Sequence, residues 1–122
     1  DLLPEGLDAP VEQGGVNFSG GQRQRLAIAR CVVRDPLVYL FDDSFSALDY
    51  ATDARLRAAL AQRTRDKTVI IVAQRVSTIM HADTIIVLDG GRIVGTGTHD
   101  ELLDECEAYR EIVASQAQLE NS

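Results

Sequence analysis

At 122 residues and 13.3 kDa the chain has room for one domain, which at that size buries about two-thirds of its unfolded surface. A hydrophobic share of 45% and a charged share of 25% exclude collagenous, low-complexity and wholly disordered classes. The net charge of -7 is concentrated late: residues 1–98 carry twelve acids against eleven bases, and residues 99–122 carry seven against one. With no basic stripe, neither nucleic acid nor a membrane surface is an expected partner.

The longest apolar runs, Leu37 to Phe41 and Val69 to Ala73, are far shorter than the roughly 20 residues of a membrane span. The opening DLLPEGLDAP lacks the basic start and apolar stretch of an export signal, so a cytosolic setting is expected. Cys31 and Cys106 have no CxxC or Cys/His spacing, and two inert thiols are expected rather than a zinc site or a disulfide framework.

In chain order, Pro4, Gly6, Pro10, Gly14 and Gly15 make residues 1–18 an extended loop. Ser19 and Gln22 form an S-x-x-Q capping box that opens a helix from Gly20 to Arg34, stopped by Asp35-Pro36. Its LAIARCVV stretch is apolar nearly all round, which predicts a buried helix. LVYLF at 37–41 reads as a buried parallel strand ending at Asp42-Asp43. A helix follows from about Asp49 to Arg63 with Leu56, Ala59 and Leu60 on one face. TVIIVA at 68–73 is a second buried strand, RVSTIMHA a short helix and TIIVLD at 84–89 a third strand. Asp89-Gly90-Gly91 is turn chemistry leading into RIVGTG, and Thr98 with Glu101 opens the C-terminal helices with another capping box. Strands alternating with helices predict an α/β fold with a mainly parallel sheet.

Two places carry chemistry. In Ser19-Gly20-Gly21-Gln22, two glycines lie at a capped helix N-terminus, where free amides and the helix dipole attract an anion such as phosphate. Serine-glycine helix starts are also ordinary structural caps. Asp42 and Asp43 put two carboxylates at a strand end, the arrangement in which one acid holds magnesium and the next orients attacking water. His81 and His99 read as surface or packing residues, and Tyr39, Phe41 and Phe45 as core. Arg23 and Arg25, one turn into a helix, read as solvated or paired.

The ordered set FSGGQRQRLAIAR, LVYLFDD, SFSALD, VAQRVSTIMHAD and VLDGGRIVGTGTHDELL resembles the nucleotide-binding domain of ATP-binding-cassette (ABC) transporters, most closely the exporter branch. The resemblance spans nearly the whole chain. It implies that Ser19, Gly20, Gly21 and Gln22 are the signature motif, with Phe18 replacing the more usual leucine, and that Asp42 ends the Walker B strand as the magnesium carboxylate. It makes Ser46 to Asp49 the D-loop, and gives catalytic positions to Asp43 and Gln74, where efficient members carry glutamate and histidine. No G-x-x-x-x-G-K-[ST] is present, and the only lysine is Lys67. The resemblance therefore implies the C-terminal part of a P-loop NTPase core, lacking the Walker A strand and loop. The family fold would place a missing strand between the strands at 68–73 and 84–89. Within 1–122 it implies a loop and signature helix at 1–34, the Walker B strand, D-loop, switch region and hairpin at 35–98, and C-terminal helices at 99–122.

The function so implied is ATP hydrolysis, with Mg2+, coupled to transport at the cytoplasmic face of a cell membrane. The implied partners are a transmembrane domain and a second nucleotide-binding domain, with this chain resembling the degenerate-site subunit of heterodimeric bacterial exporters. No nucleic acid is implied; unpaired sheet edges make self-association of the chain an expectation. Two alternatives stand beside this reading: a soluble ATPase of the chromosome-maintenance or DNA-repair type, and a non-catalytic dimerisation module.

Overall fold

The computed structural model describes residues 8–16 and 18–120, apart from the Glu120 side chain. The loop expected at residues 1–7 and at Asn17 lies outside the described residues. The elements run α1 (Gly20–Val33), β1 (Val38–Asp42), α2 (Tyr50–Arg63), β2 (Thr68–Val72), α3 (Val76–Ile79), β3 (Ile85–Asp89), β4 (Arg92–Gly97), α4 (His99–Glu105) and α5 (Glu107–Glu120). This is the α/β alternation that the sequence predicts. The chain divides into two compact units, residues 1–39 with 47–68 and residues 40–46 with 69–122.

In the first unit, α1 starts where both halves of the capping box form: Ser19 Oγ accepts from the Gln22 amide at 3.2 Å, and Gln22 Oε1 accepts from the Ser19 amide at 2.9 Å. It ends as Asp35 swings to φ 46° ahead of Pro36, whose ring cannot continue the ladder. The expectation of burial all round is corrected: Ile28 is the buried residue of α1, while Leu26 and Val33 are exposed. α2 is capped by Asp49 and closed by Thr64, whose Oγ1 donates to the Leu60 carbonyl at 2.8 Å. Its buried stripe is Asp53 and Leu60; of the expected face, Leu56 is half-buried and Ala59 exposed. Asp53 accepts from Arg57 Nε at 2.6 Å, one helical turn away.

The core of the second unit is a hairpin packed on helices. β3 and β4 pair antiparallel, from Ile85 opposite Gly97 to Asp89 opposite Arg92, with an irregularity at Val87/Leu88. The two residues between them, Gly90 and Gly91, take φ of 54° and 76°, as a two-residue hairpin turn with the twist of its strands requires. Ile85 and Val87 face Leu102 of α4, Cys106 between the two helices and Tyr109 of α5, with Val76, Ile79 and Val113 at the margin. The Thr98–Glu101 capping box forms as expected.

β1 and β2 are hydrogen-bonded neighbours. Thr68 N–H donates to the Leu37 carbonyl at 3.2 Å and Asp43 N–H to the Val72 carbonyl at 2.8 Å, the slanted pattern of a parallel pair. β1 is not buried on both faces: Tyr39 and Phe41 are 1% and 3% exposed, but Val38 and Leu40 are 53% and 62% exposed. β2 departs further, with Val69, Ile70 and Val72 all exposed. An apolar run shows what a strand can bury, whereas burial requires a covering layer, and among the described residues one face of β1 has one.

Candidate functional site

Each unit carries one of the two chemical segments. In the first unit, Ser19 is exposed and Gly20 and Gly21 are half-buried at the first turn of α1, where backbone amides have no partner inside the helix. Ser19 Oγ and Gln22 Oε1 are engaged in the capping box. Gly21 also has a packing reason. A Cβ on Gly21 would stand 3.2 Å from the Ala47 carbonyl oxygen, and one on Gly20 would stand 3.4 Å from Ala47 Cβ. Gln24 Oε1 accepts from the Ala47 amide at 2.9 Å, and Leu48 beside it is buried. Ala47 is thus fastened along the start of α1, close enough that a side chain at Gly21 would force its carbonyl to give.

Asp49 caps α2 with both oxygens, accepting from the Thr52 amide and the Thr52 hydroxyl at 2.8 Å each. Those bonds, the amide first, favour the ionised form and hold the carboxyl below the ordinary aspartate range.

In the second unit, Asp43, the residue after β1, takes a left-handed conformation, φ 52°, which aspartate adopts more readily than most side chains. Its amide is fixed by Val72 and its carbonyl accepts from Ser46 Oγ at 3.1 Å. The Ser46 carbonyl in turn accepts from the Arg75 guanidinium at 2.8 Å. A cleft of about 260 Å³ is lined by Asp43, Phe45, Ser46, Gln74, Arg75 and Thr78. Asp43 and Gln74, 31 positions apart in sequence, therefore share one cleft, which also has a hydroxyl and a guanidinium in its wall. Asp42, the adjacent exposed carboxylate, closes the strand but is not among the cleft-lining residues.

Among the described residues no three His, Cys, Asp or Glu side chains are grouped to hold a metal ion alone. Two neighbouring carboxylates instead suit magnesium, which takes one or two protein oxygens and completes its shell with water and phosphate. Of the histidines, His81 is exposed, and His99 Nδ1 lies 2.8 Å from the Tyr109 hydroxyl with the rings edge to face, a packing role. Cys31 and Cys106 are free.

Sequence reasoning missed three polar side chains. Gln24 holds Ala47, Arg75 holds Ser46, and Gln116 of α5 bonds the backbone on both sides of Arg75. Their partners lie 23 to 42 positions away, so no local pattern announces them.

An α/β unit with a glycine-opened helix, and another with paired carboxylates ending a parallel strand, define part of a nucleotide-binding domain of the cassette type. The ABC transporter family model matches residues 3–46. An uncharacterized ABC transporter ATP-binding protein of Mycobacterium tuberculosis is 59% identical over 113 residues, 93% of this chain and 19% of that protein. An ATP-dependent lipid A-core flippase of Albidiferax ferrireducens is 52% identical over 103 residues, 84% of this chain and 18% of its own length. Among solved structures, a bacterial Atm1-family ABC exporter with ATP bound superposes with a TM-score of 0.90 at 42% identity, over 95% of this chain and 20% of that one. The chain belongs to the ABC transporter family and is a portion of its nucleotide-binding domain. It spans about a fifth of the length of these relatives. No helix among the described residues is long and apolar enough to cross a membrane.

Proposed function

We propose that this chain is part of the ATP-binding and ATP-hydrolysing subunit of an ABC exporter, at the cytoplasmic face of a membrane, working with a transmembrane domain and a second nucleotide-binding domain. Ser19, Gly20, Gly21 and Gln22 present the start of α1 to ATP held by the partner domain. Asp42 is the carboxylate for Mg2+, whose chemistry is to neutralise phosphate charge. Asp43 and Gln74 belong to this chain's own nucleotide site. The phosphate-cradling loop, absent from the 122 residues, lies elsewhere in a longer protein. The exposed apolar faces of β1 and β2 are surfaces that such a segment would cover.

The observation that carries the reading is the single cleft shared by Asp43 and Gln74. Aspartate is one methylene shorter than glutamate, withdrawing its carboxylate by roughly 1 Å, and misplacement on that scale costs about a hundredfold. Gln74 hydrogen-bonds but cannot become a cation beside the transferring phosphate. This site is accordingly hydrolytically poor, and the chain serves chiefly by completing the site of a heterodimeric partner. Single-turnover hydrolysis at this site in the assembled transporter, before and after Asp43→Glu with Gln74→His, tests the assignment. A rise of about tenfold or more is expected; an unchanged rate in a folded variant contradicts it.

A further inference from the structure

We infer that Gln116, on the C-terminal helix α5, is a positioning residue that sets the backbone of the segment carrying Gln74. The inference rests on the role proposed for Gln74 above. Gln116 Nε2 donates to the Gln74 carbonyl at 2.5 Å, and Gln116 Oε1 accepts from the Val76 amide at 2.8 Å. One planar carboxamide thereby satisfies an acceptor and a donor two residues apart, much as an adjoining strand would.

The segment needs this support. α3 is only four residues long and its N-cap, Arg75, makes no side-chain capping bond, so the first amide of α3 is satisfied from α5, forty positions away. Arg75 between them is tied to the Ser46 carbonyl. Residues 74–76 are thus fixed at three points, two to α5 and one to the loop after Asp43. α5 is itself anchored, with Tyr109 2% exposed and Val113 against the same core. The position of α5 is therefore passed to the main chain at residue 74 through the Gln116 carboxamide, beside the apolar packing of Val76 and Ile79 on the same core. Both bonds go to main-chain atoms, so the clamp acts alike whether residue 74 carries a carboxamide or an imidazole.

The chemistry is selective. Gln116→Leu leaves a donor and an acceptor without partners. Gln116→Glu keeps the acceptor for Val76 but, ionised, sets an oxygen against the Gln74 carbonyl; protonated, it regains a donor. The glutamate variant is therefore expected to recover function on acidification, which loss of packing alone would not produce.

The test uses the assembled transporter carrying Asp43→Glu with Gln74→His, in which this site is made competent. Adding Gln116→Leu is expected to lower the single-turnover rate about tenfold with ATP affinity unchanged. Adding Gln116→Glu instead should match the leucine variant at pH 8 and recover toward the parent, measured at the same pH, only as pH falls to about 5 and below, into the ordinary glutamate range. In parallel, hydrogen exchange at the Val76 amide in the otherwise unaltered chain should speed about tenfold in Gln116→Leu, with β3 amides unchanged. A rate that survives Gln116→Leu, a glutamate variant with no pH dependence relative to its parent, or an unaltered Val76 exchange overturns the inference. If Asp43→Glu with Gln74→His brings no gain, the catalytic reading of the cleft falls instead, and Val76 exchange still decides whether Gln116 holds the segment.

Discussion

Asp43 occupies a backbone conformation that few side chains tolerate. At φ 52° its Cβ crowds the following carbonyl, which costs L-residues about 1–2 kcal/mol and aspartate or asparagine less. Asp43→Val is therefore expected to destabilise the intact domain by about 1–2 kcal/mol more than Asp43→Asn, read as a difference in urea midpoint at equal slope; equal midpoints would refute it. Asp49 carries a pH dependence of defined sign. Its folded pKa lies below the ordinary value, so its capping contribution is present above that value and is lost as pH falls through the folded one. Asp49→Asn should flatten the acid limb of the stability profile below about pH 4 and leave the neutral range nearly level. Both capping boxes were legible from sequence because donor and acceptor lie three residues apart. The Gln24, Arg75 and Gln116 contacts were not, because a glutamine or arginine has the same local pattern whether it meets solvent or a backbone group 23 to 42 residues away.

The hairpin and the helices behind it meet tightly at Gly95. A Cβ on Gly95 would stand 2.8 Å from Cys106 Sγ, closer than packed atoms permit, and 3.0 Å from Leu102 Cδ2, a contact tight enough that the leucine must give. Gly95→Ala is expected to destabilise the second unit by about 1–3 kcal/mol. Cys106→Ala, which removes the nearest atom, should recover part of that loss in the double variant, and strict additivity of the two costs would contradict the geometry. The elements themselves, and their order, were readable because periodicity, caps and glycine turns are local. The burial of α1, β1 and β2 was not: Val33 is 84% exposed and Leu40 62%, since hydrophobicity gives the capacity to be covered and only tertiary contacts supply the cover. The meeting of Asp43 and Gln74 in one cleft was likewise not legible from their spacing, because the parallel register of β1 and β2 brings them together.

For the molecule as a whole, the proposed division of labour has one half of the site supplied here and the other by a partner. The 122 residues contain no Walker A sequence, so the isolated chain is expected neither to hydrolyse ATP nor to bind it tightly; calorimetry giving low-micromolar affinity would overturn this. The exposed apolar faces of β1 and β2 predict that the isolated chain self-associates, which sedimentation velocity would register as species heavier than 13.3 kDa. In the proposed function this chain acts through the start of α1 more than through its own carboxylates. Gly20→Asp isolates that role, because a Cβ there makes only ordinary contact with Ala47 and an acid in the first helical turn favours the helix while repelling phosphate. The most direct measurement is steady-state ATPase of the assembled transporter carrying either Gly20→Asp or Asp43→Asn in this chain. Gly20→Asp is expected to remove most of the activity and Asp43→Asn to leave most of it; the reverse order would place the working site on this chain.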